Sequence, residues 1–167
     1  QLSGVLEAEG IEGPVALAGY SMGAAIVTHF ARAYPERVHG LALLAPAGLT
    51  EGLGGLYAVA ARVPVIGDAL WSLRAGPMLA AAAQREAQSW PAMTVIMARE
   101  AASRGYAPAL LSSLRNLLGR PLDGTHRWLA ARGVPVLALW GAQDTVIPVA
   151  ARQRLGAAHP QAEQHVL

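Results

Sequence analysis

Short apolar runs with the length of strands occur near both ends of the chain, and the first two of them enclose a helical pattern. Residues 15–18 and 38–45 are typical of buried strands, and residues 22–34 carry the small and apolar side chains of a helix that ends before Pro35. A helix also fits residues 1–9. A strand, a helix and a strand within about thirty residues predict a βαβ unit, and therefore a parallel sheet with a right-handed crossover.

The middle of the chain shows helical patterns and no convincing strand. Helices are predicted over residues 68–74, 78–89, 91–104 and 107–118, and a further short helix over residues 123–131. Pro77 and Pro91 fit first turns, where a missing N–H is tolerated, and Asp123 fits a helix cap.

The sheet pattern returns after this helical stretch. An apolar run covers residues 134–140, a helix is predicted over residues 149–158, and residues 164–167 begin another strand. We therefore predict an α/β fold in which a parallel sheet with flanking helices is interrupted by a helical lid over the sheet edge. The predicted division is core over residues 1–46, lid over residues 47–132 and core over residues 133–167.

Composition excludes several classes of protein. The chain is 53% hydrophobic and 14% charged, which is typical of a globular domain with a sizeable core. The sequence contains no run of 18 consecutive apolar residues, so it predicts no membrane-spanning helix. The thirteen basic residues are scattered among acids and give a net charge of +2, so they form no basic stripe for nucleic acid.

Cysteine is absent, which excludes a disulfide framework and a thiolate metal site. This absence and the lack of a visible signal segment favour a cytoplasmic location. Because the chain starts at Gln1 rather than methionine and stops at Leu167 within an apolar run, we expect it to be an internal fragment of a longer protein.

The sequence Gly19-Tyr20-Ser21-Met22-Gly23 lies between the first predicted strand and its helix. Strand, G-x-S-x-G, then helix is the context of a nucleophile elbow, in which the turn strains the serine backbone and exposes its hydroxyl. We expect that positions 19 and 23 require glycine, because side chains at Gly19 and Gly23 would collide with the neighbouring strand and helix. The Met22 N–H would face a developing oxyanion. The alternative is an ordinary turn in which the serine caps the helix.

Two stretches resemble the α/β-hydrolase family. Residues 19–49, GYSMGAAIVTHFARAYPERVHGLALLAPAGL, are similar to its elbow, following helix and next strand, and residues 134–148, VPVLALWGAQDTVIP, to its later strand and acid-bearing loop. The resemblance implies a partial α/β-hydrolase fold with an inserted lid. In that family the order is serine, acid, histidine, which makes Asp144 the acid that orients the base. The alternative is that Asp144 is a common turn residue.

None of the five histidines is placed to act as the base. His29 is predicted in mid-helix, His39 at the far end of the second strand, and His126 in the first turn of a lid helix, solvated or in contact with substrate. His159 falls near the start of the last strand and His165 within it. The resemblance places the base in a loop after that strand, so we expect it beyond the last residue, and the second oxyanion donor before the first. The fragment is therefore expected to be inactive.

A serine at the elbow implies an acyl-enzyme, and carboxylic ester hydrolysis is the first choice for the intact parent. Hydrolysis of C–C bonds, thioester cleavage and perhydrolysis share these residues, and a non-catalytic binding or receptor protein is the alternative from another class. No cofactor is expected, and no metal, because no His/Asp/Glu cluster has ligand spacing.

A small apolar ester or acyl substrate is expected from the apolar and soft side chains of the predicted lid, although these residues can also pack the lid itself. They are Leu53, Leu56, Tyr57, Val59, Leu70, Trp71, Met78, Leu79, Trp90, Met93, Ile96 and Met97.

Overall fold

The chain divides into two compact units. A computed structural model describes residues 1–49, 63, 65–89 and 91–167. One unit comprises Gln1–Glu51 and Arg120–Leu167, and the other comprises Gly52–Gly119. Strands occur in the first unit, while the described residues of the second form helices.

The described residues form a four-stranded sheet and two sets of helices. The strands are β1 (Val15–Tyr20), β2 (Val38–Leu44), β3 (Val136–Trp140) and β4 (Glu163–Val166). The helices are α1 (Leu2–Ala8), α2 (Met22–Ala33), α3 (Ile66–Ser89), α4 (Pro91–Ala101), α5 (Tyr106–Asn116), α6 (Asp123–Ala130) and α7 (Ala151–Ala158), with a 3-10 turn at Pro35–Arg37.

The sheet has the order β1-β2-β3-β4, and every neighbouring pair is parallel. β2 pairs directly with β3, Leu41 opposite Val136, although the whole second unit lies between them in sequence. The predicted α/β class with a parallel sheet and flanking helices is therefore confirmed. Parallel strands bring their carboxyl ends to one edge, and in open α/β sheets ligands generally bind at that edge.

One face of the sheet forms the core of the first unit. Helix α2 packs on β1 and β2 and contacts α6, which in turn contacts α7. The alternate side chains of β2 and β3 are buried, namely Leu41, Leu43, Val136, Ala138 and Trp140. The expectation that β1 is buried throughout is wrong at Ala16 and Ala18, which are exposed. β1 is an edge strand, and side chains at alternate positions point away from the packed face.

Two side-chain contacts join the helices of this unit. The guanidinium carbons of Arg32 and Arg132 lie 3.8 and 3.5 Å from the ring centre of Trp128, which links α2 to α6. Asp123 does not cap its helix as expected, since the N-cap is Leu122 and no side chain caps it. The Asp123 carboxylate instead accepts hydrogen bonds of 3.0 and 2.8 Å from Arg154 of α7, because the guanidinium offers it a paired donor.

The second unit is built from α3, α4 and α5. Two helices with Pro77 in a first turn were expected, whereas α3 runs through Pro77 without a break. A proline inside a helix deprives the carbonyl four residues earlier of its partner, here Leu73. Leu73 and Pro77 are both exposed, so water can satisfy that carbonyl.

The second unit has a small core of its own. Its buried members are Trp71, Ala75, Leu111 and Leu114, with Met78 and Leu79 packed against them. The Trp71 indole N–H donates to the Ala107 carbonyl at 2.8 Å. Several apolar residues expected to characterise the lid therefore pack the unit itself. The described residues do not include five of the expected apolar residues, namely Leu53, Leu56, Tyr57, Val59 and Trp90.

Within the described ranges, none of the helices combines the length and apolar character that crossing a membrane requires.

Candidate active site

Ser21 occupies the junction between β1 and α2 in a strained backbone conformation. Its φ is 50° and its ψ is −117°, in a region that residues with a side chain rarely adopt. Ser21 stands at the N-cap position, yet its side chain makes no capping hydrogen bond. The helix therefore does not use this hydroxyl, which weighs against the alternative of an ordinary serine cap and leaves the oxygen available for chemistry.

The two glycines of the motif differ in what the structure requires of them. A Cβ on Gly19 would lie 2.5 Å from the carbonyl oxygen of Gly23 and 2.6 Å from the nitrogen of Ala24. Gly19 is therefore small because strand and helix touch there. A Cβ on Gly23 would meet no described atom within 4 Å. The expectation that both positions are sterically closed is wrong for Gly23, since its missing side chain points away from the contact.

Met22 is the first residue of α2, so its N–H has no helical carbonyl to bond. The N-terminal end of a helix carries partial positive charge, which favours an anion near this N–H. The arrangement provides one donor next to the Ser21 hydroxyl.

Asp144 lies in the loop that follows β3, half buried. Its Oδ1 accepts hydrogen bonds from the N–H groups of Val146 and Ile147 at 2.8 and 2.9 Å. Its Oδ2 has no hydrogen-bond partner among the residues that the structure describes. The carboxylate is thus oriented through one oxygen and can accept a hydrogen bond from another group through the second.

The loops bearing Ser21 and Asp144 leave the same edge of the sheet, from β1 and β3, with β2 between them. At strand spacings of about 4.8 Å, the two strand ends are roughly 10 Å apart. β4 ends beside the Asp144 loop, because Leu167 donates to Trp140 and accepts from Ala142, both at 2.8 Å. The edge thus carries the serine, the helix N–H and the carboxylate.

The histidines lie elsewhere. All five fall within the described residues. His29 is exposed in the middle of α2, His39 is exposed near the start of β2, and His165 is exposed on β4 with its Nε2 2.6 Å from Glu163. The expectation that His126 is solvated is wrong, because it is only 1% exposed. None of the five follows the carboxyl end of a strand, and among described residues no cluster of acids and histidines could hold a metal ion.

His126 and His159 form a buried pair that the sequence did not reveal. Their ring centres are 6.3 Å apart, and the Nδ1 atom of each has no hydrogen-bond partner within the part of the chain that the structure describes. His159 ends α7 just before β4, at the sheet edge opposite Ser21. The pair therefore belongs to the packing between α6 and α7 and not to the candidate site.

Burial lowers the pKa of both rings and so favours their neutral forms. Burial, and secondarily the charge of His159, lowers the pKa of His126 to about 4, against an opposing effect of Asp123. Burial also lowers the pKa of His159, opposed by a hydrogen bond with the Val134 backbone. A charged imidazole in either place would lose its hydration without gaining a full partner.

Acid is therefore expected to destabilise the fold between pH 6.5 and about pH 4. The unfolded chain binds the proton first, because the pKa of His126 is about 6.5 when unfolded and lower when folded. The contribution of neutral His126 to the free energy of unfolding is fully present above pH 6.5 and falls as the pH drops. At pH 5 the loss from His126 alone is about 2 kcal/mol. Urea unfolding at pH 7.5 and pH 5.0 measures the difference.

Two variants test the assignment of this acid sensitivity. His126→Leu is expected to lose less stability on acidification than the unchanged chain, whereas His39→Gln, which replaces an exposed histidine, is expected to lose as much. Equal losses in all three proteins would mean that another group senses the acid.

Sequence comparison relates the chain to known proteins. The sequence model of the family described as serine aminopeptidase, S33, matches residues 3–166. A curated protein from Pseudomonas putida, the dihydrolipoyllysine-residue acetyltransferase component of an acetoin cleaving system, is 33% identical over 159 residues. That alignment covers 90% of this chain and 38% of the relative, so the chain spans well under half of the relative's length.

Solved structures with a similar fold are longer than this chain. A thermophilic esterase from Thermogutta terrifontis has a TM-score of 0.71 at 20% identity, over 99% of this chain and 60% of the esterase. Est816, described as an N-acyl homoserine lactone degrading enzyme, has a TM-score of 0.67 at 23% identity, over 99% and 63%. A thioesterase domain from the curacin biosynthetic pathway has a TM-score of 0.64 at 22% identity, over 100% and 64%. At these identities the comparison shows a shared fold.

Proposed function

The chain belongs to the serine aminopeptidase S33 family of α/β hydrolases, and from this premise we propose that the intact protein is a serine hydrolase that cleaves a small apolar carboxylic ester through an acyl-enzyme on Ser21. The observation that carries the proposal is the backbone of Ser21, strained at φ 50°, with a hydroxyl that caps nothing. Strain of this kind is costly and persists where the surrounding structure imposes it.

The reaction follows from the groups at the sheet edge. The Ser21 oxygen forms a bond to the ester carbonyl carbon while its proton passes to a base. The Met22 N–H donates to the oxyanion, whose collapse breaks the bond to the alcohol as the base returns the proton. Water then attacks the acyl group by the same steps and frees Ser21.

Asp144 has the role of orienting the base in this proposal. Its Oδ1 is fixed by Val146 and Ile147, which leaves Oδ2 to accept an N–H of an imidazole. Among the described residues, no histidine is hydrogen-bonded to the Asp144 carboxylate. We therefore place the base, and a second oxyanion donor, in residues that this sequence does not contain, so residues 1–167 alone should lack turnover.

Acyl transfer to a thiol is the second candidate reaction. It is favoured by the 33% identity to a protein named as an acetyltransferase component, and it needs the same acyl-enzyme with a thiol in place of water. Thioester cleavage, C–C bond hydrolysis and perhydrolysis are further alternatives. Each differs from ester hydrolysis in the bond that is broken or in the group that attacks the acyl-enzyme. We assign substrate selection to the helical unit Gly52–Gly119.

The test compares acyl donors and acceptors on one protein. Intact protein is given p-nitrophenyl butyrate, a butyryl thioester, an N-acyl homoserine lactone and a β-diketone, each with and without an added thiol. The aryl ester is expected to have the largest kcat/KM, and mass spectrometry of quenched enzyme to find the butyryl group on the peptide that contains Ser21. Residues 1–167 serve as the inactive control. The proposal fails if no donor is consumed or if the acyl group is on another residue.

A further inference from the structure

The strained backbone of Ser21 is held by the last residue of β2 and by the segment that follows it. The Ser21 N–H donates to the Leu44 carbonyl at 2.8 Å, and the Ser21 carbonyl accepts from the Ala47 N–H at 3.2 Å. Both main-chain polar groups of Ser21 thus bind residues on either side of Ala45. The remaining bond to the Ser21 carbonyl comes from Ala24 in the first turn of α2, at 3.1 Å.

Ala45 is itself strained. Its φ is 42°, in the left-handed region that glycine or asparagine adopts at lower cost than alanine. Its N–H donates to the Leu139 carbonyl of β3 at 2.8 Å. Two strained residues that are not glycine therefore stand next to each other, at the ends of neighbouring strands and connected through Leu44 and Ala47.

The segment is also fixed beyond Ala47. Gly48 has a φ of 92°, and its carbonyl accepts from the Leu122 N–H at 2.9 Å. Leu49 is fully buried. Residues 45–49, called the strap below, are thus anchored to β3 at one end and to the start of α6 at the other. A segment fixed at both ends can impose a conformation on what it binds.

We propose that Ala45 is a positioning residue for Ser21, because its left-handed backbone directs the strap so that Ala47 reaches the Ser21 carbonyl. The effect of Ala45 on turnover rests on the function proposed above, whereas its effect on the hydrogen bonds of Ser21 does not. Backbone strain of this kind clusters at active sites. Nothing in the amino acid sequence marks Ala45, since alanine carries no preference for a positive φ.

The test separates backbone preference from side-chain size. Ala45→Val introduces a β-branched residue that resists a positive φ, while Ala45→Asn and Ala45→Gly tolerate it. Ala16→Val makes the same chemical change at an exposed, extended position of β1 and serves as the matched control. If Ala45→Val does not fold, Ala45→Leu makes the same comparison without branching at Cβ.

Amide hydrogen exchange on the 167-residue chain is the first measurement. Ala45→Val is expected to speed exchange of the Ser21 and Ala47 amides at least tenfold, with Asn, Gly and the Ala16→Val control near the unchanged chain. The second measurement is turnover of the intact protein, where Ala45→Val is expected to lower kcat about tenfold and leave KM within twofold.

The outcomes distinguish the proposals. If the exchange rates of the Ser21 and Ala47 amides are unchanged in Ala45→Val, the inference is overturned. It is also overturned if Ala45→Asn loses as much kcat as Ala45→Val, because the effect would then follow the size of the side chain. Fast exchange with full kcat in Ala45→Val also overturns the positioning role, while the function of Ser21 stands. If Ser21→Ala leaves turnover intact, the proposed function fails whatever the exchange data show.

Discussion

Ser21→Ala in the intact protein is expected, under the proposed function, to lower kcat/KM for an aryl ester about 10⁴-fold or more, because the proposed acyl-enzyme cannot form without the hydroxyl. The hydroxyl makes no capping hydrogen bond, so its removal should change the free energy of unfolding by less than about 0.5 kcal/mol. Loss of activity at constant stability is thus the expected signature. Initial rates with an aryl ester and urea unfolding measure the two quantities.

Ser3→Ala is the matched control for this prediction. Ser3 is on α1, where its hydroxyl donates to Glu7 at 3.0 Å on the surface, so its loss should leave turnover unchanged. A Ser21→Ala protein that is folded and retains a tenth of the activity or more would remove Ser21 from the chemistry. A loss that comes with unfolding would decide nothing about the hydroxyl, and the labelled peptide from the acyl-enzyme experiment would then be the deciding observation.

Gly19→Ala is expected to have the largest effect on stability, about 3 kcal/mol or more. Its Cβ would lie 2.5 Å from the Gly23 carbonyl oxygen and 2.6 Å from the Ala24 nitrogen. Both are main-chain atoms, so relief requires β1 and α2 to separate, which exceeds the usual 1–3 kcal/mol of overpacking by a flexible side chain. The urea midpoint of the 167-residue chain measures it.

Gly23→Ala supplies the same added methyl four residues along. Apart from its chain neighbours and the nearby backbone of its own helix, no described atom lies within 4 Å of the Cβ it would carry. Alanine is preferred over glycine in a helix by about 1 kcal/mol. This variant should therefore match or exceed the stability of the unchanged chain. If the two variants lose stability equally, the close approach at Gly19 is not the cause.

Local sequence patterns predicted much of the sheet and helices, because short apolar runs and proline or glycine boundaries act within a few residues. The predictions were wrong where contacts with residues distant in sequence, or exposure to water, determine the local structure. Asp123 fits a cap by its position, but Arg154 of α7 offers its carboxylate a paired partner. Pro77 marks a helix start by its chemistry, yet the helix passes through it on an exposed face.

The candidate site divides in the same way. Ser21 could be predicted because the elbow is a local turn with glycines in fixed places, and Asp144 because it follows a strand within a few residues. The strap could not be predicted, and neither could the pair of His126 and His159 outside the site, since each depends on contacts between segments far apart in sequence. A left-handed alanine and a buried neutral histidine leave no pattern in neighbouring residues.

The hydrogen bond between the Gly48 carbonyl and the Leu122 N–H, at 2.9 Å, brings together the two points between which the helical unit is inserted. Both partners belong to the sheet-containing unit. The chain between Gly48 and Leu122 is therefore a loop whose two ends are joined at this hydrogen bond. Each doubling of the length of a flexible loop adds only about 0.6 kcal/mol to the entropic cost of closing it. The helical unit can therefore be exchanged for a shorter, longer or unrelated segment while Ser21 and Asp144 keep their neighbours, so that the residues of the candidate site and the inserted segment can be inherited separately.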